Sequence, residues 1–306
     1  MRAFPRLIDS TMLVAWRACN RKWELEFGEN LAPDGKSVDL HFGGAVAAGL
    51  EAARKAFYLE GKSEAEANNI GLNAALIYWG NFQAPDGHAK NGNSLLLALD
   101  GYYRQWPFSS DPLKPMIFSP DKAGIEFTFA CPTPVEHPDG GHIAYGGRFD
   151  MLGILEGVNH IVDEKTTGRG FSSNWSQSWN FRNQFIGYVW GCHNYGIPVA
   201  HVLVRGLSIL KTKMDFTQAI VTVPDHIIER WYNQVIRDLT MMVQQWKQGY
   251  FDLNIGDTCS SYGNCPFLPV CTAQTPSEWY TMYSERNWDP LKKNPTEKEV
   301  AARSAA

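Results

Sequence analysis

From Gly146 the chain reads GGRFDMLGILEGVNHIVDEKTT, two apolar, β-prone runs divided by the turn signal Glu156-Gly157-Val158-Asn159. Asp150 closes the first run, and His160-Ile161-Val162 leads the second into Asp163-Glu164-Lys165. The spacing of Asp150 and Asp163 suits neighbouring strands whose side chains meet at one sheet edge. Carboxylate oxygens are hard ligands for Mg²⁺ or Mn²⁺, and an amine beside such an ion can position a water against a phosphodiester. Upstream, Glu126 in the β-prone run 125–130 offers a third carboxylate.

The rest of the chain places this hairpin in a larger pattern. Ser10 is a good N-cap for a helix over 10–27, whose apolar stripe of Leu13, Trp16, Cys19 or Asn20, Trp23 and Phe27 turns Cys19 inward. Residues 28–39 read as a loop turning at Pro33-Asp34-Gly35. Helical spacing follows at 43–60, 63–79 and 93–106. Strands are expected at 125–130, 142–149, 151–155 and 160–162, then a helix at 174–195 and strands at 200–210 and 215–223. A long amphipathic helix over 225–248 ends near Gly249. This order predicts a mixed α/β fold, a central mixed β-sheet flanked by helices. The expected organisation is a helical N-terminal part at 1–110, a core at 111–250, a cysteine segment at 251–293 packed back on the core, and a flexible tail at 294–306.

Composition narrows the function classes. With 44% hydrophobic and 13% aromatic residues, the chain can bury a substantial core. A formal charge of -4 argues against a protein wrapped wholesale in nucleic acid, although one basic groove is compatible with it. The opening MRAFPRLIDS lacks an apolar stretch, and no apolar run reaches the ~18 residues of a membrane helix, so a cytoplasmic protein with no membrane partner is expected.

Six cysteines in such a setting are metal ligands, reactive thiols or core residues more often than disulfides. Cys259, Cys265 and Cys271 are evenly spaced in one segment without the C-x₂-C knuckles of a paired zinc ribbon, while Cys131 and Cys192 read as core residues. Between Lys165 and Tyr188 lie Arg169, Phe171, Trp175, Trp179, Phe181 and Arg182. Cations interleaved with rings suit single-stranded nucleic acid, and Trp179 and Phe181 suit packing equally well. Arg148, beside Asp150, can clamp a phosphate or neutralise the carboxylates. No G-x-x-x-x-G-K-[ST] helicase signature is present.

Taken together, Glu126, the GGRFD ending at Asp150, the Asp163-Glu164-Lys165 run, and Gln184 with Tyr188 resemble the PD-(D/E)XK nuclease superfamily in its RecB-like exonuclease branch, where Q-x-x-x-Y follows the lysine. The resemblance implies a Mg²⁺ or Mn²⁺ site on Asp150 and Asp163, assisted by Glu126 and the Glu164 carbonyl. Lys165 would orient or activate the attacking water, with Gln184 and Tyr188 bracing the site. Arg148, Arg169, Trp175 and Arg182 would contact DNA, single-stranded or at free ends, and a helicase or recombination partner would do any unwinding. The three clustered cysteines, with Cys19 as a distant fourth, resemble the iron–sulfur variant found also in AddB and CRISPR adaptation nucleases, which implies a 4Fe–4S cluster of structural role. Zinc on the same thiols is the alternative. One departure is visible. The branch's F-G-x-A-x-H-x-x-L-E phrase matches Phe42 to Glu51, but Ala47 stands where the metal-binding histidine belongs, and His41 is placed to face elsewhere. A weakened, DNA-binding scaffold of the same fold is therefore the other expectation.

Overall fold

The computed structural model describes residues 3–35, 37–260 and 264–291; the tail expected at 294–306 lies outside the described residues. The chain runs β1 (Leu7–Ile8), α1 (Ser10–Ala18), α2 (Asn20–Trp23), a π-helical turn (Glu24–Gly28), β2 (Leu31–Pro33), α3 (Val38–Tyr58), α4 (Glu64–Trp79) and α5 (Gly92–Gln105). Short strands β3 (Lys114–Pro115), β4 (Ile117–Ser119) and β5 (Lys122–Ala123) precede the long β6 (Ile125–Glu136), β7 (His142–Leu155) and β8 (Val158–Thr167). Then come α6 (Asn183–Asn194), β9 (His201–Ile209), β10 (Met214–Thr222), α7 (Asp225–Gln248), α8 (Leu268–Thr272) and β11 (Tyr283–Glu285). The architecture is the expected mixed α/β fold, with a mixed sheet flanked by helices. Two units divide it: Met1–Gly35 with Phe129–Gly147 and Asp225–Ala306, and Lys36–Thr128 with Arg148–Pro224.

In the second unit β8 is the pivot, antiparallel to β7 and parallel to β9, with β10 antiparallel on β9. The β7–β8 hairpin turns at Glu156 and Gly157, whose φ values of 51° and 80° are the left-handed pair that a two-residue hairpin needs. Parallel strands need a long crossover, which α6 supplies between β8 and β9. Helices α3, α4 and α5 cover one sheet face, where Phe42, Leu50, Leu95, Leu99 and Tyr102 cluster with Leu207 and Ile209. Full burial of each such side chain contributes about 1.5–3 kcal/mol. Gly49 and Gly71 let α3 and α4 touch: a Cβ on Gly71 would stand 2.7 Å from the Gly49 carbonyl.

Three expectations for this unit are corrected. The runs at 142–149 and 151–155 form one strand, so Asp150 stands inside β7. Helix α3 starts at Val38, ahead of the expected residue 43, because Asp39 pairs with Lys90 at 2.7 Å and Phe42 is buried. The helix expected over 174–195 is a 3₁₀ turn at Gln177–Trp179 followed by α6. Phe181, at φ 56°, leaves the helical region between them.

In the first unit, Asp9 caps α1 by accepting from Met12 N at 2.8 Å, and the expected cap Ser10 is the first helical residue. The helix expected over 10–27 breaks at Cys19, which is extended (φ -166°, ψ 124°), and resumes as α2 and the π-helical turn. Arg17 Nε bonds Asp238 Oδ2 at 2.7 Å, tying α1 to α7. Within the expected loop 28–39, β2 pairs antiparallel with β11. No helix among the described residues is long and apolar enough to cross a membrane.

Candidate active site

Alternation along β8 sends successive side chains to opposite faces. Asp163 and Lys165 share one face, where Lys165 Nζ lies 2.7 Å from Asp163 Oδ2 and donates to Gln184 Oε1 of α6 at 3.2 Å. Gln184 Nε2 in turn donates to the Tyr188 hydroxyl at 2.7 Å, the two being one helical turn apart. Glu164 points to the other face, into the helical layer. Arg54 of α3 grips it, with Nη1 donating to Oε2 at 3.3 Å, and the Tyr102 hydroxyl donates to Oε1 at 2.9 Å. Beside Glu164 on β9, Arg205 donates to Tyr102 at 3.2 Å and to Asp111 Oδ1 at 3.0 Å.

The β7–β8 register runs from Leu155↔Val158 to Met151↔Val162. At the next step the Asp150 side chain takes the place of the ladder, accepting from Glu164 N at 2.6 Å. Glu126, on β6, is in the left-handed region at φ 52° and meets Arg148 Nε at 2.9 Å. So the sequence-predicted Asp150, Asp163, Glu164, Lys165, Glu126, Gln184 and Tyr188 all fall within one linked constellation. Arg148 thus neutralises a carboxylate, one of the two roles open to it.

Electrostatics sort these groups. Burial holds the Asp150 carboxyl well above the usual range, and the negative charges of Glu164, Asp163 and Glu126 push it further. Burial also raises Asp163, against the Lys165 charge. Glu126 is pushed up to about 7, burial outweighing Arg148 and Arg54. For Glu164 burial loses: the Arg54 guanidinium brings it down to about 2. Burial would strip the proton from Lys165, but Asp163 outweighs it and the ammonium is held above its ordinary value.

Crowded, buried carboxylates that raise one another's pKa are what a divalent cation relieves, so the donor chemistry fits Mg²⁺ or Mn²⁺. As placed, no group of three or more His, Cys, Asp or Glu among the described residues stands ready to hold a metal ion. Instead Glu126, Asp163 and Glu164 each have a protein cation as partner. Gly43, Ala47 and Arg54 share a face of α3: a Cβ on Gly43 would lie 3.6 Å from Thr166 Oγ1, and Arg54 holds Glu164. Ala47 therefore faces β8 between them. His41 is buried elsewhere, its Nε2 3.1 Å from the Trp79 carbonyl.

No disulfide joins the cysteines: Cys19, Cys131, Cys259, Cys265 and Cys271 fall in the first unit and Cys192 in the second, and Cys131 and Cys192 are buried core residues as expected. Burial raises the Cys271 thiol, and Cys265, Cys19 and Cys259 raise it further while Arg21 opposes them. Cys265, Cys19 and Cys259 therefore each lie within electrostatic reach of Cys271. Cys265 N also donates to the Cys259 carbonyl at 2.8 Å, closing the loop between two of them. Soft thiols are the donor type that an iron–sulfur cluster or zinc takes, although as placed they do not form a ready metal site among the described residues.

The cations and rings after β8 are laid out in series. Phe171, Trp175, Trp179 and Phe185 follow edge to face or tilted at centroid spacings of 5.1, 5.5 and 6.0 Å. Gly206, the β9 partner of Lys165, seats Phe171 and Trp175, since a Cβ there would come within 2.8 and 2.5 Å of them. Arg169 and Arg182 are exposed; Arg182 lies 5.2 Å over the Trp179 ring. Sequence reasoning missed Arg54, Tyr102, Arg205 and Asp111, which sit singly in helices, loops and strands and converge only through the fold.

The sequence profile of the PD-(D/E)XK nuclease superfamily matches residues 11–272. Among solved structures, an inferred exonuclease from Eubacterium rectale is similar at 14% identity over 84% of this chain and 88% of that chain, with a TM-score of 0.45. The protein SSO0001 is similar at 15% identity over 74% of this chain and 85% of that chain, with a TM-score of 0.31. No curated protein matches.

Proposed function

This chain belongs to the PD-(D/E)XK nuclease superfamily, and we propose that it is a metal-dependent deoxyribonuclease of RecB-like type, an exonuclease hydrolysing phosphodiester bonds of single-stranded DNA or strand ends. The observation that carries this reading is the Lys165–Asp163 contact at 2.7 Å, steadied by Gln184 and set beside the buried Asp150. Mg²⁺ or Mn²⁺ on Asp150 and Asp163, with Glu126 and the Glu164 carbonyl assisting, would supply neutralisation of charge on the attacking and leaving oxygens.

The chain's own groups then have distinct tasks. Asp163 keeps Lys165 protonated, so the amine acts as a donor that orients a water or a phosphate oxygen rather than as a base. Gln184 accepts from that amine and donates to Tyr188, so the tyrosine fixes which way the amide faces. Arg148, Arg169, Trp175 and Arg182 would line the path of the strand, phosphates meeting guanidinium groups and bases meeting the ring. Cys19, Cys259, Cys265 and Cys271 would hold a 4Fe–4S cluster, or zinc, that pins the start of the chain to its cysteine segment. Unwinding would fall to a helicase or recombination partner.

Cleavage of a labelled oligonucleotide with and without Mn²⁺ tests this reading. Wild type should cut only with the metal, and Lys165→Ala should lower the rate by about 10²-fold or more. Equal rates for the two would remove the lysine from the chemistry. Ala47 favours a second reading, a DNA-binding scaffold of the same fold with weakened catalysis. A wild type that binds the oligonucleotide and leaves it intact at every Mn²⁺ concentration selects that one.

A further inference from the structure

Residues 168–182 join β8, two positions past Lys165, to α6, which carries Gln184. Phe171, Trp175 and Trp179 in this connection are half-buried and packed in series, and the first two are seated on Gly206. The fourth ring stands apart. Phe181 is 76% exposed, and its φ of 56° is a left-handed conformation that glycine or asparagine adopts readily and a bulky residue rarely does. An apolar ring held in water on a strained backbone has no packing to explain it, and such outliers gather where a ligand is gripped. Next to it, the exposed Arg182 is fixed in place, its guanidinium 5.2 Å over Trp179 and its Nε bonded to the Ser178 carbonyl at 2.9 Å.

We propose that Phe181 is the stacking platform for an unpaired base of the substrate strand, with Arg182 meeting the neighbouring phosphate. The inference deepens the nuclease reading and rests on it. Phe181 and Gln184 are three positions apart, at most about 11 Å of chain, and Gln184 touches Lys165, so the stacked base lies within about two nucleotides of the bond that Lys165 addresses. A free ring accepts any base face, which gives preference for unpaired nucleotides without preference for sequence. Within a duplex both faces of an internal base are already covered, so the platform selects single strands and frayed ends.

Fluorescence anisotropy with a labelled oligothymidylate, in the absence of divalent metal so that nothing is cut, tests the assignment. Phe181→Ala should weaken binding by about five- to a hundredfold, and Phe181→Trp should retain it. Phe181→Gly relieves the backbone, so it should melt no lower than wild type and yet bind as poorly as Phe181→Ala; a platform and a packing residue differ on that point. An abasic nucleotide scanned along the oligonucleotide should reproduce the loss at one position, where Phe181→Ala adds nothing further. Wild-type affinity in Phe181→Ala, or a Phe181→Gly protein that melts several degrees lower, overturns the platform alone. A wild type that binds no oligonucleotide overturns the platform, and one that also fails to cut with Mn²⁺ overturns the nuclease reading with it.

Discussion

Arg54 of α3 and Glu164 of β8 form an ion pair in which the side chains are only 3% and 4% exposed. Glu164 sits between Asp163 and Lys165, so the pair fastens the strand from behind while its two neighbours face α6. Tyr102 donates a further bond to Glu164, and Arg205 and Asp111 extend the same network behind it. Burial of a charge is costly unless it is paired this completely.

Removing one member should therefore cost more than removing both. Arg54→Leu is expected to destabilise by about 3–5 kcal/mol, because it leaves Glu164 ionised and unpaired, whereas Arg54→Leu with Glu164→Leu should cost clearly less. Urea unfolding of the two single variants and the double variant measures this; additive losses would mean that the pair does not act as a unit.

The place of Ala47 between Gly43 and Arg54 gives a gain-of-function test. Ala47→His puts an imidazole on the β8 side of α3 and should tighten Mn²⁺ binding about tenfold and raise the cleavage rate. Titration calorimetry reads the first effect independently of activity. Metal affinity unchanged from wild type discards the idea that this position governs the metal.

Stability should depend on pH through Asp9. Burial lifts its carboxyl from 3.8 to about 6, against the hydrogen bonds from Met12 and Trp288. The fold thus favours the neutral acid: this stability is complete below pH 3.8 and is lost as pH rises through about 6. The whole difference is about 3 kcal/mol, of which about half falls above pH ~5. Asp9→Asn keeps a capping acceptor and does not titrate, so its advantage over wild type should grow between pH ~5 and pH ~8. Parallel melts of the two proteins that show no divergence over that range contradict the assignment.

The cysteine set predicts a colour. Anaerobically purified protein should be brown with about four iron atoms per chain, and Cys19→Ser should lose the metal as fully as Cys265→Ser. About one zinc per chain in a colourless sample instead selects the tetrahedral alternative. Metal content unaffected by Cys19→Ser would detach that residue from the set.

Local pattern was enough to find Asp163 with Lys165, two apart on a strand, and Gln184 with Tyr188, four apart on a helix. It also bounded α7, whose apolar stripe runs unbroken from Asp225 to Gln248. What escaped it depends on distant partners. Helix α3 reaches back to Val38 because Asp39 finds Lys90, far along the chain. The break at Cys19 runs against an unbroken apolar stripe. Asp150 looked like the end of a run because charged residues usually end strands; here the carboxylate itself replaces a ladder bond by accepting from Glu164 N. Arg54 and Arg205 carried no motif, since a buried cation is recognisable only once its carboxylate is seen beside it.

Gly206 stands abreast of Lys165 on adjoining strands and is also the floor on which Phe171 and Trp175 rest. On the proposed reading, the hold on a polymer and the scission of it would be built one inter-strand spacing apart, about 5 Å. A single added methyl at that floor would lift Phe171 and Trp175 without altering Asp163 or Lys165 chemically. Inheritance could then retune how tightly such a strand is kept through a position that looks silent, while Asp163 and Lys165 stay chemically intact.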